Sequence, residues 1–175
     1  MIADPAPAGA RWRAMEAADI DRVLRVADIV HLDYPEGREV YEERMALFPL
    51  GCRVAERGGA VIGYAVMHPG RLGAPPPLDS RLGALPDPAD CLYIHDVALL
   101  PEARGTGLGA GALAHARSLA LDLGLGRLAL TSTPPARGYW ERLGFAPYGE
   151  ADAALAAKLA SYGGAMTYMT VRVEG

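Results

Sequence analysis

The chain has 175 residues, of which 51% are hydrophobic and 22% charged, and its formal net charge is −4 at pH 7. This length suits one domain with a sizeable core. The apolar content excludes a disordered chain, the mild acidity argues against a nucleic-acid binder, and no apolar run approaches the roughly 18 residues of a membrane span. Residues 1–10 lack the pattern of a signal peptide, so we expect a loose tail there and a cytoplasmic location.

The basic residues are almost all arginine, because Lys158 is the only lysine among the 17 basic side chains. Schiff-base chemistry and a phosphate-loop lysine are therefore nearly excluded. The two cysteines, Cys52 and Cys91, lie far apart in apolar contexts, so we expect two buried free thiols and no disulfide. Neither the cysteines nor the four histidines have metal-binding spacing, so we predict no metal site.

Hydrophobic periodicity predicts one mixed α/β domain, residues 1–175, with a single sheet. In chain order the predicted elements are a strand at 11–15, helices at 19–31 and 39–48, strands at 52–56, 60–67 and 91–100, a helix at 108–123, a strand at 127–131, a helix at 135–143, a strand at 145–148, a helix at 152–162 and a strand at 166–173. The stretch 69–90 is rich in proline and glycine and predicts a long loop, which in a small domain is usually functional or disordered.

The most informative segment is the glycine-rich turn 104–110, which joins the strand at 91–100 to the next helix. Its backbone N–H groups and the helix dipole would together form a site for phosphate or pyrophosphate. A Walker loop is excluded, because it requires a lysine. The spacing Gly105-x-Gly107-x-x-Ala110 matches the dinucleotide fingerprint loosely, but residues 123–135 lack the acid that such a site needs. A purely structural strand-to-helix corner also stays open.

Two blocks together resemble the GNAT superfamily of acyl-CoA-dependent N-acyltransferases. The first is R-x-x-G-x-G, beginning at Arg104, which is similar to that family's acyl-CoA pyrophosphate loop. The second is A-R-G-Y-W-E-R-L-G-F over 136–145, which is similar to the family's helix-to-strand ending A-x-x-x-Y-x-x-x-G-F. The resemblance spans residues 11–173. It implies an α/β fold with a single, mostly antiparallel, splayed sheet flanked by helices.

The resemblance also implies acetyl-CoA as a co-substrate, with no metal. The pantetheine arm would lie in the gap of the sheet against the backbone of Val97, Ala98 and Leu99, and the Leu99 amide would polarise the thioester carbonyl. The pyrophosphate would be held by the turn, at Arg104, Gly105, Thr106, Gly107, Leu108, Gly109 and Ala110. Thr133 and Arg137 are further candidates for cofactor contacts, although the arginine fits equally well as a solvated helix residue.

Acetyl transfer to an amine requires a base, because an alkylamine with a pKa of about 10.4 is mostly protonated at pH 7. His95 alternates with Tyr93 and Val97 on the central strand, and it matches a family position that often holds a carboxylate base. Asp96 would project from the opposite face unless a β-bulge intervenes. We favour His95 over Asp96 by a narrow margin. A histidine that only satisfies a backbone carbonyl fits the pattern equally well.

The departing CoA thiolate usually takes its proton from a tyrosine in this family. Counting back from Gly144, that position holds Trp140, which cannot donate a proton in this way. Either Tyr139 is shifted into place, or water supplies the proton, or another tyrosine does. A CoA thiol is similar to cysteine, whose pKa is about 8.5, so the reaction tolerates a missing acid. Both aromatic side chains also fit a packing role, which we favour for Trp140.

Five acidic residues cluster between the first two helices, where the family builds part of its acceptor site: Asp33, Glu36, Glu39, Glu42 and Glu43. They favour a cationic amine or peptide acceptor, but they also fit a solvated helix surface, which we favour. Residues 69–90 would form the other wall of the acceptor site.

Three hypotheses follow: an N-acetyltransferase acting on a primary amine, a non-catalytic acyl-CoA-binding module and, more weakly, a dinucleotide-binding protein. We expect no nucleic-acid or membrane partner. Since members of this family often form dimers, the strand at 166–173 is a candidate for pairing in a homodimer.

Overall fold

The computed structural model describes residues 9–174, which form a seven-stranded sheet with helices on both faces. In chain order the elements are β1 Ala10–Ala14, α1 Ile20–Val30, α2 Arg38–Leu47, β2 Cys52–Arg57, β3 Ala60–Gly70, β4 Cys91–Leu99, α3 Leu108–Asp122, β5 Arg127–Ser132, α4 Arg137–Arg142, β6 Ala146–Pro147, α5 Ala153–Ala160 and β7 Thr167–Arg172. Every predicted element is present in the predicted order, and the mixed α/β class is confirmed.

Most boundaries shift by one or two residues, and three differences matter for the description of the fold. The strand predicted at 145–148 shrinks to two residues, since Gly144 is left-handed with φ +90° and Pro147 has no N–H to donate. The loop predicted from residue 69 begins at residue 71, because Pro69 and Gly70 still pair with β4. The predicted tail 1–10 lies outside the described residues except for its last two, and Ala10 already begins β1.

The sheet has the order β1-β2-β3-β4-β5-β7-β6, and its one parallel pair is β4 with β5. These two strands pair only from Leu92 opposite Leu128 to Ile94 opposite Leu130. Beyond that point β4 continues to Leu99 while β5 ends at Ser132, so the two strands separate. The sheet is therefore splayed at its centre, which confirms the architecture that the family resemblance implied.

Each face of the sheet carries its own core. Helix α3 covers one face with small and medium apolar side chains at helical spacing, among them Ala112, Ala116 and Leu119, which pack with Leu92 and Leu128. Helices α1 and α2 cover the other face, mainly over β3 and, for α1, β4. A fully buried aliphatic side chain stabilises the fold by roughly 1.5–3 kcal/mol, so these two layers hold β4 firmly between them.

The last strand is not an edge of the sheet. It pairs with β5 along its whole length and with β6 at Met169 and Thr170. A second copy could pair with the part of β7 that β6 leaves uncovered, so the pairing of this strand in a homodimer stays a prediction. Cys52 and Cys91 are both buried free thiols, as predicted.

Candidate active site

A cavity of about 100 Å³ lies where β4 separates from β5. Strand β4 contributes Tyr93, His95 and Asp96 to its wall, and the chain around the end of β5 contributes Thr131 and Thr133. Three loops complete the lining with His31, Tyr34, Glu36, Leu78, Tyr162 and Met166. The cavity thus contains two histidines and two carboxylates within a mostly aromatic and aliphatic wall.

A β-bulge places His95 and Asp96 on the same face of the sheet. Met67 lies opposite Ile94 and Val66 lies opposite Asp96, so His95 has no partner in the register. Neighbouring residues of a regular strand point to opposite faces, and the extra residue of a bulge removes that alternation. Both predicted base candidates therefore line the cavity.

His95 is held by a carboxylate. Its Nε2 lies 2.7 Å from Glu36 Oε1, and each of the two side chains is only 7% exposed. Among residues 9–174 the other ring nitrogen, Nδ1, has no hydrogen-bond partner, and it is not fully buried. One nitrogen of the His95 ring is therefore hydrogen-bonded to Glu36, and solvent can reach the other.

Asp96 is engaged on both of its oxygens. Its Oδ1 lies 2.7 Å from His31 Nε2, and its Oδ2 accepts a short hydrogen bond from the Tyr64 hydroxyl, which lies 3.3 Å from the Tyr41 hydroxyl. Burial opposes charge on both His31 and Asp96. The attraction and the hydrogen bond between them outweigh it, so that the pKa of Asp96 is lowered and the pKa of His31 is raised. The two form an ion pair, which makes Asp96 a poor base.

The glycine turn forms an exposed nest of backbone amides. Gly105 and Gly107 have φ of +71° and +86°, which is the left-handed region that other residues rarely enter. Gly107 is the N-cap of α3 and has no side chain to bond the first amides of the helix. These amides are therefore free to bind an anion, and the helix dipole adds to the attraction.

The backbone of Val97 and Leu99 faces the gap between β4 and β5. The Leu100 N–H donates to the Ile62 carbonyl over 2.9 Å, and Leu99 lies opposite Gly63. In an antiparallel ladder, residues that hydrogen-bond to the partner strand alternate with residues that do not. The amide and carbonyl of Leu99 therefore point away from β3, and so do those of Val97, two residues earlier. Arg104 reaches back over the turn, with Nε 3.2 Å from the Leu99 carbonyl oxygen.

The other predicted cofactor residues have different surroundings. Thr106 donates its hydroxyl to the Ala103 carbonyl over 2.6 Å and so closes the short turn before the helix. Leu108 is buried, and its carbonyl accepts a hydrogen bond from the indole of Trp12. Ala98 is buried on the face of the sheet that α1 covers. Arg137 pairs with Glu141 on the exposed side of α4, at 2.8 Å.

Tyr139 and Trp140 lie outside the lining of the cavity. A Cβ at Gly109 would be 2.6 Å from the Tyr139 hydroxyl, so this hydroxyl lies against the first turn of α3. Trp140 packs edge-to-face on Phe145, with ring centroids 5.4 Å apart, and it contacts the core beneath α3. Its surroundings are those of a packing residue.

Of the five acids predicted near the acceptor, Glu36 lines the cavity. Glu43 instead accepts the N–H groups of Leu82 and Gly83, and it pairs with the buried Arg44. Glu42 pairs with Arg38 on the surface. Sequence reasoning did not single out His31 or Tyr64, because nothing in a strand or helix pattern places them against Asp96.

No group of three His, Cys, Asp or Glu side chains in the described part of the chain is arranged to hold a metal ion. Within residues 9–174 no helix has both the length and the apolar character that crossing a bilayer requires.

The splayed sheet with a glycine turn at the start of the next helix is the arrangement that the resemblance to acyl-CoA-dependent acyltransferases implied. The family model described as the acetyltransferase (GNAT) family matches residues 21–145, and the chain belongs to this family. No curated protein matches the sequence.

Solved structures share the fold at low sequence identity. Ard1 from Thermoplasma volcanium is 14% identical with a TM-score of 0.70, over 95% of this chain and 99% of that one. Arabidopsis thaliana Naa50, in complex with the bisubstrate analogue CoA-Ac-MVNAL, is 12% identical with a TM-score of 0.65, over 93% and 98%. N-acetylglutamate synthase from Neisseria gonorrhoeae, complexed with coenzyme A and N-acetyl-glutamate, is 21% identical with a TM-score of 0.69, over 97% of this chain and 36% of that one.

Proposed function

We propose that the protein transfers an acetyl group from acetyl-CoA to a primary amine of a small molecule or peptide, by direct attack in a ternary complex. The observation that carries this proposal is the position of His95. It is held by Glu36 in a cavity at the splay, next to the backbone of Val97 and Leu99 that faces the gap. A base, a cleft and exposed amides are then within one small region.

The residues present fit acetyl-CoA. The uncapped amides of the turn 104–110 suit the pyrophosphate, and the backbone of 97–99 suits the amide groups of the pantetheine arm, since β5 does not pair with this part of β4. The Leu99 amide would stabilise negative charge on the thioester oxygen. Thr133 lines the cavity and would lie close to the thioester end of the cofactor.

The chemistry is a single displacement. His95 accepts a proton from the ammonium group of the acceptor, and the neutral nitrogen attacks the thioester carbonyl carbon. A C–N bond forms, the C–S bond breaks, the CoA thiolate leaves with the sulfur electron pair, and the attacking nitrogen gives its second proton to water. We propose that water protonates this thiolate, because the Tyr139 hydroxyl lies at Gly109 and not in the cavity. Tyr139 remains the alternative acid.

The lining of the cavity favours a cationic acceptor. Among its described residues there is no arginine or lysine, and Glu36 and Asp96 carry its negative charge. The charge of His31 balances that of Asp96, and the Glu36 carboxylate then attracts an ammonium group. The same lining offers no guanidinium to a dicarboxylate acceptor such as glutamate, so we favour a small amine or the N-terminus of a peptide.

A non-catalytic acyl-CoA-binding module is the second candidate. It is favoured by Trp140, which stands where the family's tyrosine acid falls and packs on Phe145. The two candidates differ in turnover, since both would bind acetyl-CoA.

The test is CoA release from acetyl-CoA in the presence of a panel of amines and short peptides. We expect saturable turnover with at least one cationic acceptor, and a fall of about 10²- to 10³-fold in kcat for His95→Ala. His115→Ala is the matched control, because this histidine bonds the Leu50 carbonyl on a distant surface. Tight acetyl-CoA binding without turnover, or an unaffected His95→Ala, would contradict catalysis by His95.

We also propose a cytoplasmic location, supported by the two free thiols, since disulfides are rare in that compartment. A homodimer remains a prediction from the family resemblance.

A further inference from the structure

We propose that Glu36 is the positioning residue for His95, and that Asp79 in the loop 71–90 holds Glu36 in place. This inference rests on the proposed function, in which His95 acts as the base. It assigns a role in the reaction to the α1–α2 loop and to the long loop. Nothing in the family resemblance assigned these roles to Glu36 and Asp79.

The Glu36 carboxylate bridges two parts of the chain. Its Oε1 lies 2.7 Å from His95 Nε2, and its Oε2 accepts the backbone N–H of Asp79 over 3.1 Å. Both carboxylate oxygens therefore have a partner. The contact is made inside the protein, where it is screened little by solvent, because the side chains of Glu36 and His95 are each 7% exposed.

This contact decides which nitrogen of His95 carries the proton. An ionised carboxylate only accepts hydrogen bonds, so Nε2 must be the donor. In the neutral imidazole the lone pair is then on Nδ1, which has no partner among the described residues and which solvent can reach. Glu36 thus holds the ring in the tautomer whose basic nitrogen is available to the acceptor amine.

Asp79 and the α1–α2 loop are joined by a reciprocal pair of hydrogen bonds. The Asp79 N–H donates to Glu36, and Asp79 Oδ1 accepts the N–H of Gly37 over 2.7 Å. Asp79 has φ +52°, a left-handed conformation that asparagine and aspartate tolerate better than other side chains. This turn of the backbone directs its N–H at Glu36, so the long loop fixes the carboxylate.

Other titratable groups surround His95 without bonding to it. They are His68 from β3, Tyr93 and Asp96 from β4, and Tyr162 from the chain after α5. Burial lowers the pKa of His68 to about 4, so this ring is neutral, and Asp96 is neutralised by His31. Glu36 is therefore the carboxylate that determines the state of the His95 ring.

The kinetic test uses Glu36→Gln. A glutamine has only one acceptor oxygen, whereas Glu36 accepts two hydrogen bonds, from His95 Nε2–H and from the Asp79 N–H. In the variant, one of these two donors therefore faces the amide NH2 group, which is also a donor. We expect kcat to fall about 10- to 100-fold, with the KM for acetyl-CoA within about twofold of the wild-type value. Glu56→Gln is the matched control, because this carboxylate pairs with Arg13 between β1 and β2 and takes no part in the cavity.

The role of Asp79 is tested by rescue. Asp79→Asn retains an acceptor oxygen for Gly37 and tolerates positive φ, so we expect kcat within about threefold of wild type. Asp79→Ala loses both properties, and we expect it to approach the kcat of Glu36→Gln. Equal kcat values for Asp79→Asn and Asp79→Ala would overturn the role of Asp79.

Nitrogen NMR of the His95 ring gives a readout that does not depend on turnover. We expect the Nε2–H tautomer in the wild-type protein, and its loss or mixing with Nδ1–H in Glu36→Gln. An Nδ1–H tautomer in the wild type would overturn the inference, as would full kcat in Glu36→Gln while His95→Ala is inactive. If no amine gives turnover but the Nε2–H tautomer is present and depends on Glu36, acetyl transfer is wrong and the positioning of the ring still stands.

Discussion

The ion pair of His31 and Asp96 shows how a buried charge is tolerated beside the cavity. His31 follows the last turn of α1, where the helix dipole favours a cation, and Asp96 is bound in addition by the Tyr64 hydroxyl. Removing one partner of such a pair leaves the other charge without compensation. The pair therefore ties the end of α1 to the bulge of β4.

At this scale we predict the effect of Asp96→Asn on His31. The pKa of His31 should fall below its wild-type value, because burial continues to lower it while the carboxylate that raises it is gone. Titration of the His31 ring by NMR measures this, and Asp28→Asn, an exposed acid of α1, is the control. A His31 pKa that does not change would contradict the pairing.

The same pair predicts how stability depends on pH. The pKa of Asp96 is lowered by folding, so its contribution is present above the ordinary value of 3.8 and is lost as pH falls through the folded pKa. The pKa of His31 is raised, so its contribution is complete below 6.5 and is lost as pH rises through the folded pKa. The difference in the free energy of unfolding between the wild type and Asp96→Asn should therefore be largest between pH 3.8 and pH 6.5. Urea unfolding at pH 5.5 and pH 8.5 compares the two.

Among the elements, the turn before α3 depends most on glycine. Gly107 combines positive φ with the N-cap position, and Gly109 has no room for a Cβ unless the Tyr139 hydroxyl moves. A substitution at either position changes the path of the amides that we assign to the pyrophosphate.

We therefore predict that Gly107→Ala weakens acetyl-CoA binding by about tenfold or more. It should also lower the free energy of unfolding by about 1–2 kcal/mol, the cost of a left-handed alanine. Gly58→Ala is the matched control, because Gly58 also has positive φ but lies in the β2–β3 hairpin with open space around it. Calorimetric titration and urea unfolding separate the two effects, and equal acetyl-CoA affinities in both variants would contradict our assignment of the turn.

In the whole molecule, three loops from distant parts of the chain meet over the cavity. The Tyr162 hydroxyl, beyond α5, donates to the Pro76 carbonyl of the long loop. A Cβ at Gly164 would lie 3.2 Å from the Tyr34 hydroxyl of the α1–α2 loop. The stretch 71–90 places Leu78 in the lining of the cavity, and it is held by Tyr162 on one side and by Glu36 and Gly37 on the other.

We predict that acetyl-CoA stabilises the whole chain and that NAD does not. A ligand that binds only the folded state adds about 2.7 kcal/mol at 100 times its Kd, which corresponds to a rise in Tm of roughly 5–10 °C for a chain of this size. Thermal unfolding with each ligand measures this. A larger rise with NAD would favour the dinucleotide-binding hypothesis that the spacing of Gly105 and Gly107 left open.

Local patterns in the sequence were sufficient to predict the order of helices and strands and the position of the glycine turn. Apolar spacing reports which face of a helix or strand is buried, and a glycine-rich turn between a strand and a helix has few conformations. For this reason the order of elements, the candidate anion site and the position of His95 on the central strand were all predictable. The length of the two-residue strand β6 was overestimated, because its pairing partners and not its local preference decide the length of a short strand.

The sequence by itself thus determined the class of fold, the α3 turn and two neighbouring candidates for the base. Our choice of His95 over Asp96 rests on the tertiary structure, because the partners that distinguish them are more than 50 residues away: Glu36 for one and His31 for the other. The register shift that turns both side chains to one face is a property of the β3–β4 pairing, which no local pattern encodes. Hydrogen bonds between distant loops determine which carboxylate is already paired with a cation and which histidine nitrogen remains available.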